Sequence, residues 1–243
     1  MKEKIKNWSV IIPTLWKSES ILNLLISLNN CPYVDEIIII DNDYKSRKKI
    51  VQSNKIKLLA QINNIFVNPA WNLGVQEAKN NLICLCNDDL IFDTKIFDLI
   101  SMKKIKNQII GCHYHCFERN DQNREFKLIN GHSIEDGWGC LLFFEKQYYV
   151  PIPEEYKIWV GDDWLVSKFK FSKSFKWEIK TKMSETSSLP NLNSLAVLDK
   201  INFREFSSKR TLERIRKLNV FNLSKQMYFK NIYYLFISIF LKE

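Results

Sequence analysis

Six glycines and six prolines among 243 residues leave little room for flexible linkers, and no internal repeat is visible. Residues 13–20 contain no glycine, so no glycine-rich phosphate loop follows the first apolar run. Long apolar runs are also missing: Ile232-Tyr233-Tyr234-Leu235-Phe236-Ile237-Ser238-Ile239-Phe240-Leu241 is far short of a bilayer span. The opening Met1-Lys2-Glu3-Lys4-Ile5-Lys6-Asn7 is charged and leads into a strand-like run, which is not the pattern of a secretion signal. In that context the six cysteines read as reduced, mostly buried thiols. In Cys112-His113-Tyr114-His115-Cys116, strand alternation would put both His on one face and both Cys on the other. That split argues against a four-ligand zinc site.

What is present is globular. A hydrophobic content of 46% with 13% aromatics excludes general disorder, and the length suits one large α/β domain or a domain with an appendage. The formal charge of +9 is uneven: from Lys200 to Glu243, ten basic residues face three acidic ones, so the basicity belongs to the C-terminal end.

The centre of the chain is Leu82-Ile83-Cys84-Leu85-Cys86-Asn87-Asp88-Asp89, an apolar run ending in a doubly acidic tip. Adjacent carboxylates repel each other and are costly to desolvate. A divalent cation with a phosphate beyond it would compensate them; solvated turn residues are the plainer alternative. Upstream, Trp8 to Thr14 reads as a strand closed by Pro13, and Ser18-Glu19-Ser20 as the cap of a helix through Ile21, Leu24, Leu25 and Leu28. Val34 to Asp43 is a second strand, apolar on both faces at Ile37-Ile38-Ile39-Ile40, which predicts a parallel sheet covered by helices. Lys45 to Lys55 is basic and weakly helical, Ile56 to Ala60 a short strand, and Asn68 to Ala78 a turn leading into a helix. Asp93 to Lys104 is read as helix, Gln108 to Cys116 as strand, and Trp138 to Phe144 as a further strand in a more antiparallel region. Asp162 and Asp163 would cap a helix through Leu165, Val166 and Phe169. Acids at successive strand tips in β-α-β-α order predict a nucleotide-binding α/β domain.

Four landmarks, in order across roughly residues 8 to 190, then resemble a known family. They are Val10-Ile11-Ile12-Pro13-Thr14; Ile38-Ile39-Ile40-Asp41-Asn42; Asn68, Asn72-Leu73-Gly74 and Ala78 running into Asn87-Asp88-Asp89; and Gly161-Asp162-Asp163-Trp164-Leu165. The chain resembles inverting, nucleotide-sugar-dependent glycosyltransferases of the family-2 type, in the Asn-first form common among rhamnosyltransferase-like members. The resemblance implies a GT-A fold, with a mostly parallel central sheet flanked by helices and a helical C-terminal extension. It divides the chain into a catalytic domain at 1–195 (a nucleotide-sugar half at 1–93 and an acceptor half at 94–195) and a basic, aromatic extension at 196–243.

The resemblance also implies roles. Asp89 would hold Mn2+ or Mg2+, which would bridge the donor diphosphate as a Lewis acid. Asn87 would bond the ribose or a phosphate, and Asp88 the sugar or ribose. Pro13 and Thr14 would supply backbone contacts near base and ribose. Asp41 would accept from the base ring, with an Asx-turn at the strand end as the alternative. Asn72 is grouped with them, with bracing of its own turn as the alternative. The catalytic base would be Asp163, or Asp162, shielded by Trp159 and Trp164; the plainer reading makes the two acids an N-cap and a first-turn acid. Many members carry a downstream His as a further metal ligand, and Lys180-Thr181-Lys182-Met183-Ser184-Glu185-Thr186 contains none. Glu185, a water, or the charge of Lys182 would stand in for it.

The partners expected are a nucleotide-sugar donor, UDP- or dTDP-linked and including a deoxysugar such as rhamnose, and a glycan or lipid-linked glycan acceptor. The aromatic tail following Lys/Arg-rich segments would lie on an anionic leaflet, or pack on the catalytic domain or on a second subunit of a homodimer. The expected location is cytoplasmic, with peripheral contact on the inner membrane face. Two rival classes compete with this reading. A sugar-nucleotide pyrophosphorylase should open with a glycine-rich loop. A basic nucleic-acid-binding protein would not place acids at strand tips, where they repel phosphates, so no nucleic acid is expected.

Overall fold

The computed structural model describes residues 7–117, 126–131 and 137–181, with Leu198, Ile201, Asn202 and Arg204 beyond them. The Ser/Thr-rich stretch with Lys182 and Glu185, the turn at 118–125 and the rest of the C-terminal extension lie outside the described residues.

The elements are β1 (Trp8–Thr14), α1 (Ile21–Asn30), β2 (Val34–Asp41), β3 (Ile56–Ala60), α2 (Val67–Glu77), β4 (Leu82–Cys86) and β5 (Leu90–Phe92). They are followed by α3 (Lys95–Ser101), β6 (Gln108–Cys112), β7 (Lys127–Asn130), β8 (Leu141–Glu145), α4 (Gly161–Lys168), β9 (Phe171–Lys176) and β10 (Ile179–Thr181). The main sheet runs β3-β2-β1-β4-β8-β6-β9-β7, and β10 pairs with β5 in a separate two-stranded sheet. β3, β2, β1 and β4 are parallel, as are β6 and β9. β8 enters antiparallel between β4 and β6, and β7 is antiparallel on β9. The first half is therefore wholly parallel, and the second is mixed.

Side-chain alternation explains the layering. Val10, Ile12, Ile37, Ile39, Cys84 and Cys86 face one cluster, with α1 and α3; Ile11, Ile38, Ile40, Ile83 and Leu85 face the other, with α2 and α4. Ile37 to Ile40 are all fully buried, each contributing about 1.5–3 kcal/mol. Gly74 lets α2 sit directly on β1, because a Cβ there would collide with the Ile11 side chain. Two lysines close helix ends: Lys55 Nζ donates to the carbonyls of Asn29 and Cys31, and Lys146 Nζ to those of Gln76 and Ala78. At the opposite edge from the acidic tips, buried Glu36 accepts from Ser9 Oγ and from Lys79 N–H. That bond set ties the loop before β4 to β1 and β2. Among the described residues no helix is long and apolar enough to cross a membrane.

Several boundaries differ from expectation. Pro13 does not close β1; it stays in register opposite Ile40, and Thr14 opposite Asp41. The β4 ladder already ends at Ile11, so the proline nitrogen faces a side with no bond to lose. Residues 45–55 form no helix beyond a short 3-10 turn at Tyr44–Ser46. β6 stops at Cys112, and the turn Tyr114–Phe117 brings the Cys116 thiol back against Cys112. The alternation assumed for those cysteines therefore does not apply. All six cysteines are free thiols. Trp138–Cys140 is a 3-10 turn entered at Gly137 (φ 94°), and the strand starts only at Leu141.

Candidate active site

β1, β2 and β4 end side by side, which places Thr14, Asp41 and Asn87-Asp88-Asp89 along the carboxyl edge of the parallel strands. Open α/β sheets receive ligands at this edge, where strand order reverses. Thr14 Oγ1 donates to Asp88 Oδ2 at 2.6 Å and accepts from Trp16 N–H at 2.8 Å. Trp16 takes a left-handed conformation (φ 61°), which turns its buried indole inward so that Nε1 donates to Asp41 Oδ1 at 2.7 Å. Arg47 Nε donates to Asp41 Oδ2 at 2.6 Å. One continuous run of hydrogen bonds thus joins the tip of β4 to the tip of β2.

Burial pushes the Asp88 carboxyl up to about 6; the charge of Asp89 adds to the rise and the Thr14 bond opposes it. Lys48, whose Nζ donates to the Ser18 carbonyl at 2.6 Å, also lowers it by its charge. Asp89 Oδ2 accepts from Thr181 Oγ1 at 3.0 Å, a contact set by the antiparallel register that places Thr181 opposite Leu90.

The second acidic motif meets the first across the Trp138–Cys140 turn. Asn87 N–H donates to the Cys140 carbonyl at 3.0 Å. One residue earlier, a Cβ on Gly139 would lie 2.7 Å from Asp162 Oδ2. The start of α4 is held from the other side by α2: Gly161 packs on the Asn68 side chain, and Asn68 Nδ2 donates to the Trp159 carbonyl at 3.1 Å. Val160 precedes it at φ 59°, a conformation a β-branched residue adopts only under constraint. Asp162 and Asp163 are therefore not the caps expected; Val160 is the cap position, and both acids lie in the first helical turn. Burial, with the Asp162 charge second, pushes the Asp163 carboxyl up to about 7.

Other expected residues are placed differently. Asp41 is fully buried, and its carboxylate accepts from Trp16, Arg47 and the Asp43 N–H. The carboxylate is enclosed by the chain, and its bond from the Asp43 N–H is that of the Asx-turn alternative. Asn72 braces the loop before α4: its Oδ1 accepts from Tyr149 OH and Ile152 N–H, and its Nδ2 donates to the Ile152 carbonyl. Trp164 is engaged by the protein, with Nε1 on the Pro151 carbonyl and Lys168 Nζ 3.8 Å from its ring centroid. Trp159, at 42% exposure, lies at the surface beside the acids.

Among the described residues no group of three or more His, Cys, Asp or Glu side chains is arranged to hold a metal. The donor set at the β4 tip is Asp88 and Asp89 with the amide of Asn87. That set suits Mg2+ or Mn2+, which are held by one or two carboxylates with water and phosphate completing the shell. The upward push on Asp88 is what a nearby cation would reverse.

The glycosyl transferase family 2 model matches residues 9–166. The chain belongs to that family. Its fold is the GT-A type of these enzymes, and among solved structures it is similar to GalNAc-T7 with UDP, GalNAc and Mn2+, at 13% identity and a TM-score of 0.52 over 74% of this chain and 44% of that one. It is also similar to S. aureus TarS, at 12% identity and a TM-score of 0.47, over 79% of this chain and 39% of that one. For TarS residues 1–349 the figures are 13% and 0.47, over 96% and 81% of the two chains. No curated protein matches the chain in sequence.

For a family member, four contributors went unseen in the sequence. Trp16, Arg47, Gly139 and Thr181 act through folding contacts with distant acids. Only Trp16, two residues beyond the Pro-Thr landmark, stood near enough to a motif to have been found.

Proposed function

We propose that the chain is an inverting glycosyltransferase that moves a sugar from a nucleoside-diphosphate sugar to a hydroxyl of a glycan or lipid-linked glycan. The observation that carries this is the carboxyl of Asp163, raised to about 7 and set in the helix whose first turn meets the Asn-Asp-Asp tip across the Gly139 turn. A base poised near neutral pH takes a proton efficiently in the transition state. The acceptor hydroxyl passes its proton to Asp163 as its oxygen bonds the anomeric carbon. The bond from that carbon to the phosphate oxygen breaks, and its electron pair leaves with the diphosphate. Asp88, braced by Thr14, and Asp89, braced by Thr181, would hold Mg2+ or Mn2+. When bound, that cation supplies Lewis-acid stabilisation of the departing diphosphate. Asn87 lies beside them to bond ribose or phosphate.

The presence of UDP, GalNAc and Mn2+ in the GalNAc-T7 structure, which shares the fold, supports a nucleotide-sugar donor and a divalent cation. A UDP- or dTDP-linked donor, with a rhamnose-like deoxysugar among the candidates, fits the Asn-first motif. Residues 1–93 form the donor half and 94–195 the acceptor half of this reading. The basic extension at 196–243 serves membrane-proximal acceptors or a second subunit.

The test is thermal stabilisation by UDP, GDP and dTDP, each with and without Mn2+, followed by assay of donor hydrolysis and transfer. Cation-dependent stabilisation that disappears in Asp89→Ala, with transfer abolished in Asp163→Asn, is expected. Absence of any nucleotide response would sink the reading.

A further inference from the structure

Asp41 and Arg47 together point to a reader of the donor base other than the strand-tip acid. The carboxylate of Asp41 has no exposed surface and is surrounded by three protein donors. Trp16 supplies, from within the chain, the planar ring N–H that a base would otherwise offer it. Of the side chains that donate to Asp41, Trp16 is buried and Arg47 is the one that reaches the surface.

The Arg47 side chain is 36% exposed, and among the described residues Nε is the one of its atoms that donates to the protein. Its two terminal amino groups meet no acceptor among the described residues. The guanidinium is planar and rigid, so with Nε on the Asp41 carboxylate one terminal N–H lies alongside Nε–H on the Asp41 side, and the other three point away from it. The side chain is thus held by a partner it cannot leave without stranding a buried charge. The chain of bonds through Trp16 and Thr14 sets it two strands from Asp88, or about 10 Å at sheet spacing. That is comparable with the reach of a nucleotide from its base to its diphosphate.

We infer that Arg47, rather than Asp41, contacts the base of the donor nucleotide, donating from its outer edge to a ring carbonyl oxygen; this rests on the donor-site reading above. An edge made only of donors selects a base with a carbonyl on its pairing edge, as in uracil, thymine and guanine. It takes nothing from the ring N–H beside that carbonyl, and it disfavours adenine, which presents an amino group there.

Titration calorimetry on the full chain with Mn2+ tests this. The probes are UDP and GDP, their ring-N-methylated forms (N3-methyl-UDP and N1-methyl-GDP), and ADP. The better of UDP and GDP should bind about tenfold or more tightly than ADP. Methylation should change its affinity by less than about threefold. Arg47→Lys keeps the charge opposite Asp41 but has no outer fork, so it should bring the preferred nucleotide to within about threefold of ADP. Its melting temperature should stay within about 2 °C of wild type. Arg47→Gln serves as a second variant in case the lysine reorients. A tenfold loss on ring-N methylation, or tightest binding of ADP, overturns the inference, as does discrimination that survives both substitutions. If no nucleotide binds at all, the donor-site reading falls with it; binding that ignores Arg47 overturns this inference alone.

Discussion

Replacing Asp163 by Asn should make the protein more stable and inactive at once. In the folded chain the Asp163 carboxyl is raised from 3.8 to about 7, first by burial and then by the charge of Asp162. Below about pH 4 the group is neutral whether the chain is folded or not, and it contributes nothing either way. As pH rises from about 4 to about 7 the unfolded chain ionises first, so folded stability declines. Above about 7 the folded carboxyl is charged too, and the loss is complete. At about 1.36 kcal/mol per pH unit the rise corresponds to about 4 kcal/mol as a ceiling. Residual solvent access and the shared titration with Asp162 bring the expectation to about 2–3 kcal/mol. An amide of the same shape carries none of this, and for a chain of this size the midpoint should rise by about 4–12 °C at pH 8. Urea unfolding of both proteins at pH 4.5, 6 and 8 reads the effect directly. The gap should be small at pH 4.5 and grow to its full size by pH 8, while transfer falls by about 10²–10⁴. A gap that does not vary with pH, or an Asn variant less stable than wild type at pH 8, would refute the account of Asp163 as a buried, strained acid.

Asp162→Asn removes the second cause of that rise, so the acid limb of the transfer rate against pH should move down by about half to one unit; a limb that stays in place or moves up counts against the coupling. Val160→Gly relieves a left-handed β-branched residue but removes a side chain packed on the core, so stability should change by less than about 1 kcal/mol, measured by urea midpoint, with transfer reduced as the start of α4 loosens. Gly139→Ala forces Asp162 away from the turn. It should lower kcat by about tenfold or more with a smaller change in melting temperature, whereas equal losses of fold and activity would make the glycine purely structural.

Much of the parallel half was legible because it rests on short-range pattern. Ile37 to Ile40 had to be buried on both faces, and Leu82 to Cys86 ended in polar residues; α2 was visible as a helix, but it begins at Val67, ahead of the turn read at Asn68 and Pro69. The acidic tips were likewise visible as residues. Their surroundings were not, since they come from distant parts of the chain. Nothing local to Asp41 announces an indole and a guanidinium closing over it, and Arg47 sits in a basic run that resembles a solvated helix. Pro13 misleads because its effect depends on which neighbour its nitrogen faces, and that is set by the early end of the β4 ladder. The cap of α4 was misplaced because Asp is the ordinary choice there and Val160 is not.

The bonded run from Arg47 through Asp41, Trp16 and Thr14 to Asp88 also has a historical side. Each link satisfies a polar group that its neighbour would otherwise leave stranded, so none of these side chains can drift alone. A lineage exchanging Trp16 for a ring without an N–H would leave buried Asp41 one donor short, with the Asp43 N–H and Arg47 remaining, and so pass through a weakened ancestor. Substitutions among these residues should therefore show strong mutual dependence, the harm of a pair falling below the total of its single changes. The nucleotide end of this sheet would then be inherited as a block, leaving variation to the surfaces around it.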